Sequence, residues 1–120
     1  MSEKTASISA QVIRDAENVT ELEDWGPCPE ATGPQMDTRG IYLWKDGNGA
    51  ESGIWECTAG PSRWILETHE FLHVLSGSMT ITPDGGEPEF VGPGDALFVP
   101  GGWSGNWEIH ETLRKVFVIF

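Results

Sequence analysis

An all-β fold, a barrel or sandwich of short strands, is what the sequence predicts. Two observations carry this. From Gly40 onward, short runs rich in β-branched and aromatic residues recur, separated by turn residues at intervals of roughly 8 to 12 positions. The separators are strong turn formers: Asp84-Gly85-Gly86, a hairpin signal, then Gly92-Pro93-Gly94-Asp95 and Pro100-Gly101-Gly102. A chain of 120 residues is long enough for one domain with its own core.

Residues 1–38 differ in character from the rest of the chain and are expected to form a partly irregular N-terminal arm, with the barrel spanning 39–120. Ala10 to Leu22 has weak helical periodicity and is expected to give a short helix at most. The stretch Asp24-Trp25-Gly26-Pro27-Cys28-Pro29 continuing to Pro34 reads as irregular, because its prolines remove backbone donors and fix φ. Trp25 and Met36 are apolar anchors for this arm, against the domain or a second subunit. The expected strands are Ile41–Trp44, Gly53–Thr58, Arg63–Leu66, Glu70–Leu75, Ser78–Thr82, Pro88–Val91, Asp95–Val99, Gly105–Ile109 and Arg114–Ile119.

Charge narrows the function classes. Nineteen acidic residues against seven basic ones give a net charge of −12, which anionic membranes and phosphate backbones repel. Nucleic acid and membrane are therefore not expected partners. No apolar run approaches the roughly 20 residues that cross a bilayer, and the N-terminus has no basic segment leading into an apolar one. A cytoplasmic protein with free thiols at Cys28 and Cys57 is expected.

The pentapeptide His69-Glu70-Phe71-Leu72-His73 has the spacing of a zinc-peptidase helix, in which two imidazoles share one face. On a strand the same four steps span about 13 Å at roughly 3.3 Å per residue. The two rings then cannot reach one ion through zinc–nitrogen bonds of about 2 Å. Pro61 before and Gly77 after leave little room for a long helix, so the strand is the reading taken.

Glu70, with Gly77 seven residues on, then Ser78-Met79-Thr80-Ile81-Thr82, Asp84-Gly85-Gly86, Gly92-Pro93-Gly94-Asp95 and Pro100-Gly101-Gly102, resembles the cupin barrel. The likeness is to small single-domain cupins of the ureidoglycine aminohydrolase-like and ethanolamine-utilisation Q types. It rests on Gly53-Ile54-Trp55-Glu56-Cys57, Gly60-Pro61-Ser62-Arg63-Trp64, the Glu70–Gly77 segment, Gly105-Asn106-Trp107-Glu108 and Leu113-Arg114-Lys115. The resemblance covers residues 40 to 120 and implies a cupin jelly-roll barrel. Most cupins bind a divalent metal through three His and one Glu. Here the His-x-His positions hold Trp64 and Leu66 (or Arg63 and Ile65), the later His position holds Gly105, and Glu70 alone of the four ligands remains. The resemblance thus implies the barrel with a degenerate metal site and no metal ligand set or cofactor of the usual kind.

The candidate site residues come from this alignment. Glu70 is the candidate acid/base group, and inside a barrel it needs a partner: Arg63, Arg114 or Lys115. Trp64, Leu66, Gly105, Trp107, Glu56 and His73 are the candidate substrate contacts, with Gly105 leaving space where a His would sit. His73 alternates with Leu72 and Val74, which turns it toward the opposite face unless the strand is bulged. Lys115 reads as a solvated strand residue. The expected function is a barrel pocket that binds or transforms a small polar metabolite, nitrogenous compounds included. Two alternatives stand beside it: a divalent-metal enzyme with a reorganised ligand set including Glu70 and His73, and a non-catalytic regulatory or structural barrel. A homodimer is expected, since a second subunit covers open sheet edges.

Overall fold

In a computed structural model of the chain, which describes residues 10–120, the regular secondary structure is almost wholly antiparallel strand. They are β1 Glu23–Pro27, β2 Asp37–Lys45, β3 Glu51–Cys57, β4 Gly60–Ile65, β5 Glu70–Pro83, β6 Glu89–Val91, β7 Ala96–Val99 and β8 Ser104–Ile119. No helix among the described residues is long and apolar enough to cross a membrane.

Two long strands organise the fold. β5 and β8 pair along their lengths, from Glu70 opposite Ile119 to Pro83 opposite Gly105. Near the middle the pairing slips three times, between Val74 and Met79, and the ribbon bends there. Gly77 sits at the bend with φ +79°, and a Cβ on it would lie 2.0 Å from the Thr112 carbonyl oxygen. Only glycine lets the two backbones approach that closely. The bend divides the sheet into two leaves that share β5 and β8. In one, β1, β2 and β3 continue beyond the second half of β8, and β7 flanks the first half of β5. In the other, β4 flanks the first half of β8 and β6 the second half of β5. The sequence reads each long strand as two short ones, split at Gly77 and at the polar stretch around Glu111, because local pattern registers the bend and not the continuous ladder across it.

The segment before residue 39 adds two features. Glu23–Pro27, read as irregular, pairs with β2, with a register shift between Asp24 and Gly26. Its terminal Pro27 and the shift hide the strand pattern, and its position at the sheet edge tolerates the missing donor. No α-helix forms between Ala10 and Leu22; a 3-10 turn covers Ala16–Asn18. The carbonyls of Ala16, Glu17 and Val19 accept hydrogen bonds from Arg114 Nη1 at 3.1, 2.9 and 2.7 Å. A guanidinium thus takes the acceptors that a helix would have used. The first nine residues of the expected arm lie outside the described residues.

The core lies between the leaves. Leu72, Val74, Met79, Trp107, Ile109, Leu113 and Phe117 pack with Met36, Cys28 and Cys57. The Met36 anchor is buried, 1% exposed.

Candidate functional site

Strand alternation decides which side chains enter the barrel. On β5, Glu70, Leu72 and Val74 point inward, and Phe71 and His73 outward. On the second half of β8, Leu113, Lys115 and Phe117 share the inner face. On β3, Trp55 lies opposite Lys115. On β4, Ser62 lies opposite Trp107 and Trp64 opposite Gly105.

These rules bring Lys115 and Glu70 together. Lys115 Nζ donates to Glu70 Oε2 at 2.6 Å, and both side chains are under 10% exposed. Of the three partners the sequence offered for Glu70, the structure selects Lys115. This corrects the reading of Lys115 as a solvated residue: one strand residue out of register with Arg114 and Val116, it falls on the buried face. Arg63 instead makes a bidentate pair with Asp84 at the surface, at 2.6 and 2.7 Å. Arg114 turns outward to Glu56.

Aromatic rings surround the pair. Lys115 Nζ lies 4.5 Å from the Trp55 ring centroid and 4.7 Å from that of Trp107. Trp64 packs on Trp107 with centroids 4.8 Å apart, and Trp55 meets both edge-on at 6.2 and 6.5 Å. Trp64 Nε1 donates to Ser62 Oγ at 2.8 Å, which fixes the ring. A desolvated cation on an aromatic face gains about 2 kcal/mol or more, so the rings and the carboxylate together replace the water that Lys115 loses.

Above this floor a cleft opens in two adjacent lobes whose walls share Trp25, Tyr42, Trp55 and Trp64. The inner lobe, about 210 Å³, reaches Glu51, Glu70, Lys115 and Phe117. The outer lobe, about 450 Å³, is bounded by Cys28, Pro29, Glu30 and Thr38. Trp25 comes from β1 and stacks on Tyr42 at 4.7 Å. It lies flat over Gly40, where a Cβ would come within 2.4 Å of the ring. Burial, and then the nearby carboxylates of Glu51 and Glu23, push the Tyr42 phenol up from its ordinary value.

The other expected site residues fall elsewhere. Trp107 faces inward but is core, 1% exposed, behind Trp64 and Lys115; its buried indole N–H has no hydrogen-bond partner among the described residues. Leu66 follows β4, with its backbone bonded to Gly102 and Trp103. Gly105 leaves no free space: a Cβ there would lie 2.3 Å from the Thr82 carbonyl oxygen and 2.7 Å from the Trp103 ring. Glu56 lies on the outer face between Arg39 and Arg114. Burial alone would raise its carboxyl, but hydrogen bonds from both guanidinia outweigh it and hold the group below the usual carboxylate range. His73 stands opposite Ala96 and Val116 on the outer face, away from Glu70. His69, just before β5, accepts from the Gly101 amide through Nδ1 at 2.9 Å. Burial and the neighbouring Cys28 push the Cys57 thiol up to about 12, and burial raises Cys28 as well.

The residues present do not fit the family's transition metal. Glu70 is engaged by Lys115, Trp64 supplies no donor lone pair, and Gly105 has no room for an imidazole without moving backbone. No three His, Cys, Asp or Glu side chains gather into a metal-sized group among the described residues. A cation at this floor would also have to displace the ammonium.

Trp25, Tyr42, Trp55, Glu51 and Lys115 were not among the site residues expected from sequence. Trp55 and Lys115 had a usable signal. Leu113, Lys115 and Phe117 alternate, so a buried Phe117 places Lys115 on the same face. Trp25 was expected only as an anchor of the arm and Tyr42 not at all, because the pairing of β1 with β2 is not written in either segment.

Comparisons with known proteins agree with this architecture. None of the curated proteins compared matches the chain. A DUF861-family protein of unknown function from Pseudomonas syringae superposes with a TM-score of 0.76 at 21% identity, covering 85% of this chain and 45% of that one, so this chain spans less than half of that relative. A putative ethanolamine utilization protein Q from Salmonella typhimurium gives 0.65 at 22% identity, covering 79% and 76%. A DUF861-family protein from Thermotoga maritima gives 0.54 at 28% identity, covering 56% and 76%. With residues 45–117 matching the EutQ-like cupin domain, more than half its length, the chain belongs to that cupin family.

Proposed function

We propose that the two-lobed cleft binds a small, polar, nitrogen-bearing metabolite, and that the Glu70–Lys115 pair forms the fixed polar floor of the site in place of a metal. One observation carries this reading: a buried, mutually neutralised ion pair roofed by tryptophans, at the base of an open cavity. A few placed polar groups within apolar walls is the usual composition of small-molecule sites. The neighbour named for ethanolamine utilization and the resemblance to ureidoglycine aminohydrolase-like cupins both point toward nitrogenous compounds, as analogy only.

A panel of amines, amides, ureido compounds and carboxylic acids, screened by thermal shift and by ligand-observed NMR, tests the proposal. A nitrogen-bearing compound that raises Tm, with the rise lost in Trp55→Leu, supports it. No response to any compound refutes it. Metal quantification on untagged protein, with melting in chelator, decides the metal-enzyme alternative: stoichiometric metal and a large chelator-induced loss of Tm would establish it in place of this reading.

A second reading concerns the same floor. Because Lys115 Nζ and Glu70 Oε2 lie 2.6 Å apart, a proton can pass between them, and the pair is equipped for acid/base chemistry on a bound ligand. Turnover of the identified ligand that disappears in Lys115→Met would establish this.

The protein is further proposed to be a homodimer. Phe71, Phe98 and Val118 stand side by side on the outer face of three adjacent strands, with Phe120 beyond them, all more than a third exposed. β7 has a free edge beside them, where a second copy could extend the sheet. Analytical ultracentrifugation of Phe98→Glu should give a monomer; an unchanged dimer excludes this face, and a monomeric wild type excludes the dimer.

A further inference from the structure

We infer that the ligand of the cleft is an organic ammonium cation, its charged head held against the tryptophan wall of the inner lobe that also carries the Glu51 carboxylate, with the rest of the molecule running toward Glu30. The inference rests on the small-molecule reading above and narrows it to one charge type.

Charge balance within the lining is the first argument. Lys115 is the only cation lining either lobe among the described residues, and Glu70 has already claimed it. Glu51 in the inner lobe and Glu30 in the outer one make no ion pair within 4 Å with the described residues. Lys45 is the cross-strand neighbour of Glu51, yet its ammonium lies 4.2 Å from the Tyr42 ring centroid rather than on that carboxylate. An anionic ligand would meet two carboxylates and no free cation. A cation would meet both with their charge available.

The rings supply the second argument. An indole presents a negative face, and a cation placed on it is attracted more strongly as water is removed. The fold already uses this at the cleft, with Lys115 on Trp55, and again outside its lining, with Lys45 on Tyr42. Trp25, Trp55 and Trp64 remain partly exposed at the cavity wall. Aromatic faces and carboxylates that make no ion pair with the described residues together select an ammonium over a neutral amide or a carboxylate.

The test uses the full chain and defined probes. Choline and tetramethylammonium are titrated by calorimetry and tryptophan fluorescence, alongside acetate, urea and the uncharged isostere of choline in which carbon replaces the quaternary nitrogen. The ammonium probes should bind at least about tenfold more tightly than the carbon isostere, the ratio expected from one desolvated cation–π contact. Glu51→Gln should weaken the ammonium probes about threefold to tenfold without changing the melting curve appreciably. Trp64→Leu, which keeps apolar bulk and removes the ring, should weaken them by about tenfold or more, with folding checked by circular dichroism. Equal binding of the carbon isostere, or binding of acetate or urea in place of the ammonium probes, overturns the cation assignment and leaves the cleft reading standing. If none of these probes and no member of the wider metabolite panel binds, both fall together.

Discussion

Removing one member of the Glu70–Lys115 pair should be far more damaging than removing both. In Glu70→Leu, the Lys115 ammonium is left in a site where its side chain is only 5% exposed, with no counter-charge. Stranding one partner of a buried pair costs about 3–5 kcal/mol. The Trp55 and Trp107 faces remain and offset part of this, so a loss of about 3 kcal/mol is expected. For a chain of this size, roughly 4 °C per kcal/mol converts that into a Tm fall of about 12 °C. Lys115→Met leaves the carboxylate stranded instead, without help from the rings, and should cost about 4 kcal/mol. The double variant Glu70→Leu/Lys115→Met replaces the pair by apolar groups of similar volume and should fall within about 1 kcal/mol of the wild type, since desolvation and Coulomb terms leave the native pair near break-even. Urea denaturation followed by tryptophan fluorescence and far-UV circular dichroism measures all four proteins. Singles within about 0.5 kcal/mol of wild type, a margin ordinary for surface substitutions, would refute the buried-pair reasoning. So would a double variant whose loss equals the sum of the singles.

Three further outcomes are expected. Gly77→Ala should destabilise the fold by at least about 2 kcal/mol, since φ is +79° and the new Cβ would meet the Thr112 carbonyl, and an unchanged urea midpoint would show that the bend does not need glycine. Cys57, fully buried and with its thiol raised to about 12, should resist iodoacetamide at pH 8 in the native protein and react in urea; alkylation of the folded chain, read by peptide mass spectrometry, would contradict the burial. The Glu56 carboxyl is held below its ordinary value by Arg39 and Arg114, so its contribution to stability is present above the unfolded pKa of about 4.3 and is lost as pH falls through the lower folded value. The stability gap between wild type and Glu56→Gln should therefore narrow steadily below about pH 4.3, and a gap independent of pH from 7 to 2 would remove the ion pairs from the account.

Much of the fold was legible because strands declare themselves locally. Alternation and turn residues marked seven of the eight strands, and the extended reading of His69–His73 came from the sequence around it. The fused strands and β1 were not legible for a common reason. A ladder that continues through a glycine bend, and an edge strand with a register shift that ends in proline, are held by partners on other strands, and no local pattern records them. The site divides in the same way. Glu70 and Trp64 were found from their positions in a motif. Gly105 was assigned by the same motif, yet backbone and Trp103 fill the space there; the outward turn of His73 was already legible from its alternation with Leu72 and Val74.

By itself the sequence determined an all-β fold, and its resemblance to cupins implied an inward carboxylate at Glu70 without the three imidazoles of the usual cupin metal site. Tertiary structure alone decided that Lys115 rather than Arg63 or Arg114 meets that carboxylate, and that Trp25 and Tyr42 line the cleft. The physical reason is register. Which side chain faces a buried charge depends on how β8 lies against β3 and β5, and one residue of slip would exchange Lys115 for Arg114 or Val116.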